Sequence, residues 1–310
     1  MTPMDHPEPS GTPDHTVATL DALVPAAIAR KAEDIGVAKA EMPFAKLFVL
    51  AILAGAFISL GALFSTVVTA GGGTSAGVSR LLGGVVFSLG LVLVVVAGAE
   101  LFTGNTLVII AFASKRVRLA KLLRNWGIVY LGNVVGAVAI AALVVLSRRL
   151  ESGDGSIGIR ALDIAKAKTQ LQMPDSFVSG VLANMLVCLA VWLSFSARSV
   201  TDKVVAIVPP VAAFVAAGFE HSIANLYFVP VALFQRLFAR DAFWSTTNSS
   251  ADAYRSITWS RFLTHNLLPV TAGNIVGGAL LVGLTYWFVY LRAPRRPQGT
   301  RLGGQTTSSG

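Results

Sequence analysis

Gly98-Ala-Glu100-Leu-Phe-Thr-Gly-Asn105 and Gly218-Phe-Glu220-His-Ser-Ile-Ala-Asn225 repeat Gly, Glu and Asn at one spacing, and both interrupt long apolar runs. A second pairing follows each of them. Asn125 precedes Gly132-Asn133-Val-Val-Gly136, and Asn266 precedes Gly273-Asn274-Ile-Val-Gly277, again at one spacing. Two coincidences in the same order, in matching runs of each half, point to duplication of a structural unit. The runs say what that unit is. A bilayer takes about 20 residues of helix to cross, and six runs suffice: 44–69, 81–113 (interrupted), 122–147, 176–197, 203–238 (interrupted) and 261–291. The halves, about 44–147 and 174–291, hold three crossings each, and an odd number inverts one half relative to the other. The predicted fold is an all-α membrane protein with six transmembrane helices, an inverted repeat of three plus three with two broken helices. Broken helices that meet within such a repeat form a transport path.

Composition agrees with a bilayer as solvent. The chain has 310 residues, 54% hydrophobic and 13% charged, where soluble domains run to about 45–50% apolar and about 25% charged. Segments this long satisfy every backbone group in lipid as a helical bundle. The net charge of +9 does not point to nucleic acid, because the basic residues lie between apolar runs and not along one soluble face. They mark topology. Lys115, Arg116, Arg118, Lys121 and Arg124 share a connection without acids, and Arg292, Arg295, Arg296 and Arg301 follow the last run. Both groups belong in the cytoplasm, and six crossings bring Arg30, Lys31, Lys39 and Lys46 to the same side, so both termini are expected inside.

Residues 1–22 carry Asp5, Glu8, Asp14 and Asp21 among prolines, unlike a signal peptide. They are expected to be a flexible tail, with 23–292 as the membrane domain and 293–310 as a second tail. Cys188, the single cysteine, excludes a disulfide framework and reads as packing.

The polar residues of the interruptions have a structural reason to exist. Where a helix unwinds in hydrocarbon, each orphaned backbone group costs several kcal/mol. Glu100 and Glu220 are expected to accept from those amides, with Asn105 and Asn225 bridging both kinds of group. The alternative role for the glutamates is a proton relay, since ionisable groups at this depth are functional candidates. Gly132/Gly136 and Gly273/Gly277 put small residues on one face for close helix packing. Gly71-Gly72-Gly73 reads as a turn. His221 falls inside an interruption and His265 near a helix end, while His6 and His15 lie in the tail. That distribution, without a His-Glu-x-x-His pattern, supports no zinc or haem site. No metal, cofactor or enzymatic activity is expected. The paired Asn-Pro-Ala motifs of a water or glycerol channel are also absent.

Over Ala97-Gly-Ala-Glu-Leu-Phe-Thr103, Gly218 to Asn225 and Asn266-Leu-Leu-Pro-Val-Thr-Ala-Gly-Asn274, the sequence resembles the formate/nitrite transporter family, and within it the bacterial formate channels. The resemblance runs from about Leu20 to Arg292. It implies an aquaporin-like protomer in the bacterial cytoplasmic (inner) membrane and a homopentamer with one pore per protomer. It also implies a small anion as substrate, namely formate, with nitrite and hydrosulfide as the rivals. By that resemblance His221 sits at the pore centre with Thr103 opposite. Phe87, Leu91 and Phe214 form a periplasmic constriction, and Leu101, Phe102 and Val187 a cytoplasmic one. Asn184 and Asn274 match polar pore residues. Lys168 matches a vestibule cation, with Lys166 as an alternative, and Gly104-Asn105 departs from some formate channels. Formate, with a pKa of about 4 like other carboxyls, is anionic at neutral pH, and drawing it into an apolar gap costs several kcal/mol. Lys168 is expected to concentrate the anion, Thr103, Asn184 and Asn274 to replace part of its water, and His221 to supply charge or a proton.

Overall fold

Helices whose apolar residues cover every face bury one side in the bundle and leave the other to lipid. The structure, a computed structural model, describes residues 22–71, 73 and 75–292, and the regular elements among them are all helical. The tails expected over 1–22 (except Ala22) and 293–310 lie outside the described residues.

Helix α1 is Pro25–Glu41 and α2 is Phe44–Ala70. The first broken span consists of α3, Ala76–Ala97, and α4, Phe102–Ala113, and α5 is Leu119–Leu146. The second half repeats the order: α6 is Ser156–Gln170, α7 is Met173–Ser196, α8 is Val200–Ala217, α9 is Ser222–Phe238, and α10 covers 259–290. Six stretches are long and apolar enough to cross a membrane, and both predicted interruptions fall where the helices stop. Gly98 (φ +83°) and Gly218 (φ +77°) end α3 and α8 in the left-handed conformation that a Cβ would disfavour.

Two helices were not foreseen. α1 and α6 are too polar to register as crossings, yet each lays small residues against its half: Ala32, Gly36 and Ala40 on α1, Ala161, Ala165 and Thr169 on α6 are buried. The repeat is thus four helical pieces plus an amphipathic flank.

The predicted glycine faces bring backbones into contact. A Cβ on Gly136 would lie 2.0 Å from Ile52 O, and one on Gly277 2.1 Å from Val181 O. These crossings of α5 on α2 and of α10 on α7 hold Asn133 and Asn274 at the level of the breaks. α5 is a regular helix, whereas α10 widens into π-helical turns at Phe262–Leu267 and Val276–Leu284.

Candidate functional site

Each break is fastened by an asparagine from the third span of its half. Phe102 N–H donates to Asn133 Oδ1 (2.9 Å), and Asn133 Nδ2 donates to Ala51 O (2.7 Å) and Glu100 O (3.0 Å). In the second half Ser222 N–H donates to Asn274 Oδ1 (2.9 Å), and Asn274 Nδ2 donates to Gly180 O (2.8 Å) and Glu220 O (3.1 Å). The acceptors for these loop amides are therefore asparagines and not the glutamates the sequence suggested. The carboxylates are engaged elsewhere, by side-chain amides and by an ammonium, whose charge makes it a stronger partner than a backbone amide.

Lys39 Nζ donates to both Glu100 oxygens (2.8 Å each) and to Asn105 Oδ1 (2.9 Å). Asn105 Nδ2 bridges Glu100 Oε2 (2.7 Å) and Asn125 Oδ1 (3.1 Å), while Asn125 Nδ2 reaches back to Lys39 O (3.0 Å). The same circuit recurs around Lys168, whose Nζ donates to Glu220 Oε1 (2.9 Å). Asn225 Nδ2 bridges Glu220 Oε2 and Asn266 Oδ1 (2.7 Å each), and Asn266 Nδ2 reaches Lys168 O (3.2 Å). Sequence reasoning treated Lys39 only as a topology marker. Its distance from Glu100 along the chain differs from that of Lys168 to Glu220, so no shared spacing exposed the pair.

Between these circuits the half-helices meet through one short polar contact. His221 caps α9: its Nδ1 accepts from Ala224 N–H (3.1 Å), which puts the ring proton on Nε2, 2.8 Å from Thr103 Oγ1. Phe214 lies nearly parallel to the imidazole with centroids 6.0 Å apart, and Phe87 meets Phe214 edge-on at 5.7 Å. Phe102 packs edge-on against Trp126 (6.4 Å) and Tyr130 (5.0 Å). Leu101, Phe102, Val187, Thr103 and His221 are all buried. Asn184 Nδ2 donates to Asn274 O (2.6 Å), Thr106 Oγ1 (3.2 Å) and Thr103 O (3.3 Å), so the amides of Asn184 and Asn274 are committed to protein oxygens.

A cavity flanks this packed layer on either side. The first, about 250 Å³, is bordered by Lys39, Glu100, Leu101, Asn105 and Leu91. The second, about 400 Å³, is bordered by Lys168, His221, Asn225, Phe87 and Phe214, with Arg80 and Arg160. Leu91 thus faces the first cavity, while Phe87 and Phe214 face the second. Thr103, Phe102 and Val187 are buried and border neither, and Thr103, two residues from Leu101 of the first cavity and bonded to His221 of the second, lies between them. Of the two candidate lysines, Lys168 borders the second cavity, while Lys166 Nζ turns to Ala253 O (3.2 Å) and lies over the Tyr254 ring.

The comparisons with known proteins fit this geometry. Residues 26–288 match the family model of the formate/nitrite transporters. The formate channel FocA of Escherichia coli (strain K12) is 47% identical over 273 residues, 88% of this chain and 96% of that protein. FocA of Haemophilus influenzae is 39% identical, over 85% of this chain and 93% of its own length. A solved structure described as a pentameric formate channel with formate bound superposes with a TM-score of 0.77 at 44% identity, covering 80% of this chain and 98% of that one. An ion channel of the same family superposes at 0.72 with 29% identity, covering 85% and 98%. On a match that spans both broken helices and every span between them, the chain belongs to the formate/nitrite transporter family.

Proposed function

We propose that this protein conducts formate across the bacterial cytoplasmic membrane, as a homopentamer with a path through each protomer. The relatives named as formate channels, and the pentameric neighbour that holds formate, support the substrate and the assembly. The observation that carries the reading is the His221 Nε2–Thr103 Oγ1 pair in a buried layer between two lysine-bearing cavities.

Formate reaches the second cavity as an anion, where Lys168 and the neighbouring arginines raise its local concentration. In the apolar layer it meets donors. Thr103 Oγ accepts a hydrogen bond from His221 Nε2–H and keeps its own hydroxyl hydrogen free to donate. α4 and α9 both begin at the gap, so the positive ends of their dipoles point into it. Because Nδ1 is occupied by the Ala224 amide, a second proton on the ring requires loss of the helix cap, worth about 1 kcal/mol. His221 therefore acts in this proposal as a neutral donor, and any proton it hands to formate must come with movement of the start of α9. Asn184 and Asn274 shape the path from behind. The basic stretch from the end of α4 into the first turn of α5 carries Arg116, paired with Asp34, and Lys121, paired with Glu41. Its excess of Lys and Arg supports an orientation with this face, and both chain ends, toward the cytoplasm.

A hydrogen bond to a charged group is worth about 1.5–3 kcal/mol. His221→Phe should accordingly slow formate flux into proteoliposomes by about 10- to 100-fold. Flux equal to the wild type would remove His221 from the path. A pH step applied to both proteins tests proton handling separately, and nitrite and hydrosulfide run alongside rank the three anions.

A further inference from the structure

Two helical turns before each cavity lysine stands another cation: Lys31 before Lys39 on α1, and Arg160 before Lys168 on α6. Eight residues of helix separate each pair by about 12 Å along the axis. The duplicated positions are used differently. Lys31 Nζ donates to Phe195 O (2.7 Å) at the end of α7, and Lys31 does not border the first cavity. Burial, then the nearby Lys203 and Arg198, push its pKa down. Arg160 borders the second cavity together with Arg80, and its Nε donates to Thr69 Oγ1 (3.2 Å) at the end of α2.

The charge balance of the two cavities differs accordingly. Glu100 borders the first beside Lys39, whereas the second has Arg80, Arg160 and Lys168 and no Asp or Glu among the described residues; Asp163, Asp175 and Glu220 border the wider cleft outside it, which the same three cations also line. Lys168 is paired with Glu220, and the ion pairs of the described residues include neither Arg80 nor Arg160. With its Nε held by Thr69, the Arg160 guanidinium keeps its two terminal nitrogens as a planar fork, the shape that grips a carboxylate with two parallel hydrogen bonds.

We infer that Arg160 is an outer station for a planar carboxylate anion, which makes the α6 face capture formate more strongly than the α1 face. The inference rests on the reading of the chain as a formate channel. Formate docks at Arg160 near the rim, moves inward to Lys168, and then meets the Thr103 and His221 donors. The α1 face lacks the equivalent step because Lys31 is spent on a backbone carbonyl.

Formate flux measured across a reconstituted bilayer, with substrate added to one face at a time, tests this. Arg160→Gln should raise the half-saturating formate concentration from the α6 face by about three- to tenfold at low ionic strength, and leave both the maximal rate and the α1 face unchanged. The difference should disappear in about 1 M salt, where charges more than roughly 3 Å apart are screened. Arg160→Lys should keep part of the low-salt attraction, and Lys31→Gln should change neither face. Thr69→Val, which retains the charge and releases the fork, serves as the second variant and should shift the same constant by about twofold. Unchanged half-saturation in both Arg160→Gln and Thr69→Val, or an equal change from both faces, overturns the station while formate conduction stands. Absence of formate flux in the wild type overturns the channel reading and the station with it.

Discussion

The two halves of this protein share a brace and differ in chemistry. Asn133 and Asn274 fasten their breaks with the same three hydrogen bonds, and Lys39–Glu100–Asn105–Asn125 repeats as Lys168–Glu220–Asn225–Asn266. At the break itself the copies part: Leu101 stands where the second half has His221, Phe102 where it has Ser222, and Thr103 where it has Ile223. Asn184 occupies the place of Gly55, four residues beyond the carbonyl that receives each fastening asparagine. Lys39 is held by three acceptors and Lys168 by one, while Asn225 Oδ1 has no partner among the described residues and its residue borders the second cavity. Duplication thus preserved what holds two helix ends inside a bilayer. The polar pair at the gap arose where the copies stopped matching, with histidine from one and threonine from the other.

The largest effect should come from the parts that are the same. Gly136→Val and Gly277→Val each force a Cβ to within about 2 Å of a carbonyl oxygen on rigid helix backbone. Overpacking a core costs about 1–3 kcal/mol when side chains can adjust, and here backbone would have to move. Both variants should fail to give a monodisperse oligomer in detergent. Survival of Gly277→Val alone would show that the π-turns of α10 yield where regular α5 cannot, and would break the equivalence.

A smaller effect separates the lysines. Removing one partner of a buried ion pair costs about 3–5 kcal/mol, and Lys39 has the fuller set of contacts. Lys39→Met should lower the melting temperature more than Lys168→Met, whereas Lys168→Met should reduce formate flux more. The opposite order in both measurements would assign the holding role to Lys168 and the anion role to Lys39.

Much of this comparison was legible in the sequence, because the repeat is spelled in residues whose backbone role admits few substitutes. Glycine at 98 and 218 ends a helix with positive φ, and asparagine at 133 and 274 satisfies a donor and an acceptor at once. The six crossings followed from apolar length alone. What stayed hidden had no such signature. α1 and α6 are amphipathic flanks whose small residues resemble any soluble helix, and Lys39 looks like one more cytoplasmic cation until α1 folds against the break. The glutamates were placed correctly at the breaks but assigned the wrong donors, since chain order does not show which ammonium arrives from a distant helix. That Asn184 and Asn274 spend their amides on protein oxygens is also a tertiary fact.

The smallest effect concerns Ser222, and it is the sharpest probe of the divergent copy. Its N–H is taken by Asn274, as the N–H of Phe102 is taken by Asn133. The Phe102 ring fills space against Trp126 and Tyr130, whereas Ser222 Oγ is buried with no partner among the described residues. An unsatisfied buried hydroxyl costs about 1–3 kcal/mol, and deleting it leaves the backbone bond intact. Ser222→Ala should therefore be neutral or stabilising by up to about 1 kcal/mol in thermal unfolding, with formate flux unchanged. A loss of flux at unchanged stability would mean that Oγ serves the passing anion, so that the second break contributes a hydroxyl beside its imidazole and the gap holds three donors where two are now assigned.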